Sequence, residues 1–255
     1  DAAWTATNPS GVAVLRKRRA GWQCLALAPS YASFVALADG TPVDWGARPA
    51  AAIAPPDALL AATERLAGAR PDVIAIDMPL ATTRIVARRA ADNAIASAYA
   101  TRGLGAHSPN ESRPGPIAHA MRQGFSAHGY ALATSATPAG TRTVMIEVFP
   151  HAAAIALLGA SYRVPYKLAR VTQYWPDRSP PQRRRTLLAQ WTKLRRALAG
   201  HVLDVELRVP ATGTLSALKR YEDALDAVLC AWSGAEYLAR RTRAYGDATA
   251  AVWAH

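Results

Sequence analysis

Two short, uninterrupted apolar runs, Val73-Ile74-Ala75-Ile76 and Val144-Met145-Ile146, most constrain what this chain can fold into. Runs this short without polar alternation have no solvent face, so each reads as a strand buried on both sides. Each is followed at once by an acid, Asp77 and Glu147, and soon after by a proline, Pro79 and Pro150. Helical patterns bracket them. Asp57 is expected to cap a run with Leu59, Leu60, Thr63 and Leu66 at helical spacing, which Gly68 and Pro71 close. A second helix is expected over 152–158, straight after the second strand. Alternating strands and helices of this kind belong to an α/β fold with covered sheet faces.

The rest of the chain fills in that frame. Residues 12–15 and 22–27 read as strands either side of a basic turn, Arg16 to Arg19 with Gly21, and predict an antiparallel hairpin. Residues 29–56 carry little periodicity and read as a connection with room for a short helix. An Arg-rich helix is expected over 82–102, a Gly/Pro loop over 103–116 and a helix over 117–130. An irregular segment follows at 160–183. A basic helix over 184–199 places Leu187, Leu188, Trp191, Leu194 and Leu198 on one face. The last helix is expected over 215–241, with Leu218, Leu225, Leu229 and Trp232 as its core stripe. Hairpin strands early and buried strands later predict a mixed sheet with helices on both faces.

Charge narrows the partners. Of the 30 basic residues only Lys17, Lys167, Lys193 and Lys219 are lysines, and with 18 acids the net charge is +12. Arginine forks match phosphate oxygens in pairs, so the balance favours a polyanionic partner such as nucleic acid. Several classes are excluded. No apolar stretch of about 20 residues offers a membrane span. The first ten residues carry neither a basic nor an apolar signal region, which sets the expectation of a cytoplasmic protein. Cys24 and Cys230 are too few and too far apart for a disulfide framework or a cysteine zinc site. His107, His119, His128, His151, His201 and His255 show no zinc spacing, and neither a nucleotide-binding glycine loop nor a serine nucleophile elbow is present.

The acids are few enough for their placement to matter. Asp77 and Glu147 sit at strand ends, Asp1 lies just ahead of the hairpin, and Glu222, Asp223 and Asp226 fall on the last helix. Asp223 and Asp226 share a helix face. A charge directly after a buried strand is expensive unless it is paired or ligates something, and sites gather at the carboxyl ends of strands. Convergent carboxylates suit hard divalent ions such as Mg2+ or Mn2+, and two such ions clamp the attacking and leaving oxygens of a phosphodiester. The plainer alternative is that these acids cap helices or bond arginine. Arg183, Arg184 and Arg185, with Lys193, Arg195 and Arg196 beyond them, form a basic surface near Tyr166, Tyr174 and Trp175. Such a surface can hold a phosphate backbone and stack bases, or it can be a solvated face. A second basic set holds Arg84, Arg88, Arg89 and Arg102, where Arg88 or Arg89 can instead pair with Asp92. His151, four residues after Glu147, is a candidate proton shuttle or simply part of a first helical turn.

The strings Ile76-Asp77-Met78-Pro79-Leu80, Glu147-Val148-Phe149-Pro150 and Asp223-Ala224-Leu225-Asp226-Ala227 resemble a family of predicted nucleases, the domain of unknown function 429. That family is similar to the ribonuclease H and Holliday-junction resolvase superfamily. The opening Asp1-Ala2-Ala3-Trp4 with Asn8-Pro9-Ser10-Gly11, and the closing Tyr245-Gly246-Asp247 with Val252-Trp253, extend the likeness to nearly the whole chain. The resemblance implies one ribonuclease-H-like domain over 1–255, a five-stranded mixed sheet flanked by helices, with insertions at about 82–140 and 160–212. It implies metal carboxylates at Asp1, Asp77, Glu147 and Asp226, with Asp223 assisting, and a phosphate contact at Lys167 after Val164-Pro165-Tyr166. The expectation is therefore a Mg2+- or Mn2+-dependent nuclease acting on RNA or DNA. The alternative is a non-catalytic nucleic-acid-binding protein with a degenerate site of the same fold.

Overall fold

The structure is a computed structural model that describes residues 1–49, 55–210 and 213–255. Positions 50–54 of the expected 29–56 connection, and 211–212 at the end of the second expected insertion, lie outside the described residues.

The early hairpin forms. β1 (Val12–Arg18) and β2 (Gly21–Ala28) pair antiparallel from Val12↔Ala28 to Arg18↔Gly21. The basic run lies mostly inside β1 rather than beyond it, because the strand's last two residues are exposed and their charges stay in water. In the following connection, α1 (Tyr31–Ala38) starts at Ser30, whose side chain accepts from the Ser33 amide at 3.1 Å. α2 (Pro56–Ala67) begins one residue ahead of the expected cap. Pro56 takes the first helical position, Asp57 sits in the first turn, and Gly68 ends the helix in the left-handed conformation.

β3 (Val73–Ile76) and β5 (Val144–Val148) form where the apolar runs predict, and they pair parallel. Between them lie α3 (Ala90–Tyr99), α4 (Gly115–Ala127) and the two-residue β4 (Ala131–Leu132). The helix expected over 82–102 is thus confined to its second half. Residues before it are held in irregular chain, where the Thr82 amide donates to the Thr249 carbonyl at 2.8 Å and Arg89 turns inward. α5 (Pro150–Leu158), the single-turn α6 (Val171–Tyr174), α7 (Pro180–Ala199), β6 (Val202–Leu203) and α8 (Leu215–Leu238) follow. The chain then closes with a hairpin of β7 (Arg243–Gly246) and β8 (Ala251–Ala254). The sequence pattern ran the last helix on to 241 and missed these strands. The helix stops earlier because Arg240 adopts a left-handed φ of 59°.

A mixed five-stranded sheet flanked by helices is present. Its order is β3-β5-β8-β7, with β4 also on β5; β7 alone runs antiparallel to its neighbour. The expectation that the early hairpin belongs to the same sheet is corrected. β1, β2 and β6 form a separate three-stranded sheet. Among the described residues β1 pairs only with β2 and β3 only with β5, so the two strands turn unpaired edges toward an apolar cleft of about 200 Å3. Val12, Val14, Ile74 and Ile76 line it from the strands, and Ala227 and Gly234 from α8. This opening explains why Val73 to Ala75 are only half-buried although their sequence reads as fully interior.

α8 packs across β1, β3 and β5 and is buried along most of its length, including the expected stripe Leu218, Leu225, Leu229 and Trp232. Its approach to the hairpin depends on Gly11. A Cβ at that position would stand 2.5 Å from the Asp223 carbonyl oxygen, so only glycine permits the contact. Among the described residues no helix is long and apolar enough to cross a membrane.

Candidate active site

The close contact at Gly11 is what assembles the site. The Asp1 amino nitrogen donates to the Gly11 carbonyl at 3.0 Å, and the Ala3 amide donates to Ser10 Oγ at 2.9 Å. The turn Asn8-Pro9-Ser10-Gly11 therefore folds the first residues back against α8, beside Asp223. One carboxylate oxygen from each of Asp1, Asp223 and Asp226 lies within 4.8 Å of the others. Asp223 and Asp226 are buried and Asp1 is half-buried. Asp77, just past the end of β3, is not one of the three converging carboxylates. It is close enough for the charge of Asp226 to act on it, and desolvation, offset by Lys167 and reinforced by Asp226, pushes its carboxyl up to about 6. Asp223 is likewise pushed up to about 6, first by desolvation, with Lys219 opposing and Asp226 and Glu222 adding.

Two lysines answer this negative charge. Lys167 Nζ contacts Asp226 Oδ2, and Tyr166 Oη donates to the other Asp226 oxygen at 2.7 Å. Lys219 Nζ contacts Asp223 and donates to Glu222 at 3.0 Å. The Leu168 amide donates to Glu222 Oε2, and the Trp191 indole donates to the Tyr166 carbonyl at 2.7 Å. The segment from Tyr166 to Leu168 is thereby seated on α8. Despite its desolvation, Lys167 has its pKa raised well above the ordinary lysine range by Asp226, so it is cationic. Its position beside the aspartates agrees with a basic residue at the site, but here its partner is a carboxylate.

Glu147 is not brought to this cluster. It falls inside β5 rather than after it, and its oxygens are spoken for. Arg89 donates to both at 2.6 and 2.7 Å, and the Leu80 amide donates to Oε2 at 2.8 Å. Arg89 also holds both oxygens of Asp92, at 2.5 and 3.0 Å, and the Leu80 carbonyl at 2.6 Å. The plainer alternative for this acid, bonding arginine, is the one the geometry shows. Against the desolvation that would lower it, Glu147 and Asp92 raise the Arg89 pKa and keep it cationic.

The expected basic surfaces divide in the same way. Arg183 spends its guanidinium on the Trp175 carbonyl at 2.9 Å and the Pro176 carbonyl at 2.7 Å. Arg184 is half-buried, and Arg185 is exposed on α7. In the second set, Arg84 pairs with Glu111 at 2.6 Å, and Arg88 bonds Asn93 at 2.6 Å and Ser108 at 2.8 Å. Sequence reasoning missed Lys219 and the Tyr166 hydroxyl as site members, since neither stands in a recognisable motif. Lys219 was legible in one respect: it precedes Glu222 by three residues and Asp223 by four, the spacing of helical ion pairs.

A sequence model of the family described as "Protein of unknown function (DUF429)" matches residues 11–250. No curated protein and no solved structure shows significant similarity to the chain.

Proposed function

Since the chain belongs to the DUF429 family, whose description assigns no activity, we propose from its own site geometry that it is a divalent-metal-dependent nuclease of ribonuclease-H-like type, acting on RNA or DNA. The observation that carries the reading is the approach of Asp1, Asp223 and Asp226 to within 4.8 Å of one another. Three clustered oxygen donors, with Asp77 adjoining, fit a hard cation such as Mg2+ or Mn2+, which takes oxygen ligands and keeps several waters. Bound there, such an ion would supply positive charge to the oxygens of a scissile phosphodiester.

The chain's own residues have definable tasks. α8 fixes Asp223 and Asp226 on a rigid, buried helix, and Tyr166 orients Asp226 through one oxygen. Lys167 and Lys219 hold the cluster together by balancing its repulsion. The Lys219 side chain is 53% exposed, so it can leave Asp223 for water at little cost when a cation arrives. Buried free thiols at Cys24 and Cys230 support a reducing compartment such as the cytoplasm.

A second reading has its own support. The two lysines already neutralise Asp226 and Asp223, as they would in a nucleic-acid-binding protein whose site is degenerate. Calorimetric titration with Mn2+ separates the two. The nuclease reading expects Mn2+ binding that Asp226→Asn abolishes, and Mn2+-dependent cleavage of single- or double-stranded substrates that Asp77→Asn abolishes with folding intact. No Mn2+ binding by the unaltered chain, with salt-sensitive oligonucleotide binding retained, would leave only the second reading.

A further inference from the structure

Two strand edges face each other across the apolar cleft, and among the described residues neither has a partner there. β1 pairs only with β2 and β3 only with β5, so each leaves one row of backbone N–H and C=O groups on the cleft side. The side chains show the same deficit. Val12 to Leu15 and Val73 to Ala75 are all half-buried, without the alternation that a water-facing sheet side produces, so their exposure is lateral, through the edge. The walls are helical and apolar: Ala227 and Gly234 from α8, Leu60 from α2 and Phe125 from α4. Water is a poor occupant of such a slot, and a helix has no backbone groups to spare along its length. An extended chain meets both rows at once.

α8 sets the direction. Gly11, just ahead of β1, lies against Asp223 and Ala227, whereas a Cβ on Gly234 would stand 3.3 Å from Val73 Cγ1 and 3.4 Å from Ala75 Cβ. β1 therefore begins near the turn of α8 that carries the aspartates, and β3 begins further along α8 and runs toward that turn, ending in Asp77. A strand between them is antiparallel to β1 and parallel to β3 when its carboxyl end lies beside Gly11. Asp1 occupies that place: it lines the cleft, and its amino nitrogen donates to the Gly11 carbonyl at 3.0 Å.

We infer that the cleft is a strand slot, filled by an extended apolar segment joined to the Asp1 nitrogen and hydrogen-bonded to β1 on one side and β3 on the other. Its length is about four or five residues, matching the four-residue edge of β3. Filled, the slot joins the two sheets into one. A peptide bond at Asp1 also replaces an ammonium beside the aspartates with a neutral amide that can still donate to Gly11. The slot rests on the edges and walls and does not depend on the nuclease reading.

The test extends the chain ahead of Asp1 by a segment of that length, in one version alternating valine and isoleucine and in another alternating glycine and serine. Amide hydrogen exchange reads the edges, and thermal melting reads stability. The apolar extension is expected to slow exchange of the β1 and β3 amides that bond neither β2 nor β5 at least about tenfold. It should also raise the melting temperature by at least about 5 °C, while the glycine–serine extension does neither. Equal effects from both extensions, no effect from either, or loss of folding with the apolar one overturns the proposal. So does protection by the same apolar peptide added free, with blocked ends, when the fused copy gives none: the slot would then take a partner's strand. Protection of these amides in the unaltered chain overturns it as well, and dimerisation by light scattering would then assign the edges to a second copy.

Discussion

Two knots of buried carboxylate lie in this molecule, and they differ in how their charge is spent. Around Arg89, the carboxylates of Glu147 and Asp92 meet one guanidinium that donates to all four of their oxygens. Around α8, Asp1, Asp77, Glu222, Asp223 and Asp226 share two lysines, one of them half in solvent. The first knot is saturated and ties the chain after β3 to β5. The second is crowded and has oxygens converging on one point. An acid at the end of a strand is thus a poor indicator by itself; what decides its role is whether an arginine has been brought to it.

The largest expected effect breaks the saturated knot. Arg89→Met leaves Glu147 and Asp92 buried and unpaired, and the loss should be about 3–5 kcal/mol by urea unfolding. A loss below about 1 kcal/mol would erase the distinction between the knots. Next comes a paired test of the crowded knot. Asp226→Asn should weaken Mn2+ binding at least about tenfold, or about 1.4 kcal/mol, while Glu147→Gln leaves Mn2+ affinity unchanged. Mn2+ binding lost in Glu147→Gln would return that residue to the site.

Protons provide a third and smaller test. Asp77 and Asp223 are pushed up to about 6 by desolvation in the fold, above their unfolded value of 3.8. Between those values the folded chain carries more protons than the unfolded one, so stability falls as pH rises toward about 6, and Glu147, pushed up to about 7 by desolvation against the opposing Arg89, carries the fall on to about 7. The metal-free protein should therefore melt at a higher temperature at pH 5 than at pH 7, and Mn2+ should recover at pH 7 the part of the difference that Asp77 and Asp223 carry, leaving the part due to Glu147. A flat melting profile would mean that the cluster is already neutralised by its lysines. The smallest effect contrasts spent and unspent arginines on α7. Arg185→Gln should lower the salt slope of oligonucleotide binding by about 0.9, and Arg183→Gln, whose guanidinium is occupied by carbonyls, should leave it unchanged. Equal slopes in both variants would show that α7 is a solvated face.

Several parts of this architecture could be read directly from the residues. Apolar runs without alternation identified β3 and β5, and periodicity with a terminal glycine identified α2. Helical spacing also put Asp223 and Asp226 on one face of α8, where both are buried. The closing strands β7 and β8 escaped notice because four residues carry too little periodic signal beside a 24-residue helix. The split into two sheets was equally hidden, since no local pattern says which strand edges will meet.

The sequence by itself determined β3 and β5, the early hairpin, the helices α2, α7 and α8, and which acids flank them, because local sterics and hydrophobic period act over a few residues. Only the tertiary structure decided the partners. It sent Arg89 across 58 positions to Glu147 and Lys167 across 59 to Asp226. It also folded Asp1 onto α8 through the glycine contact at position 11. Charge pairing is settled by distance in space, and a buried carboxylate becomes a strut or a candidate ligand according to which cation the packing of distant elements places beside it.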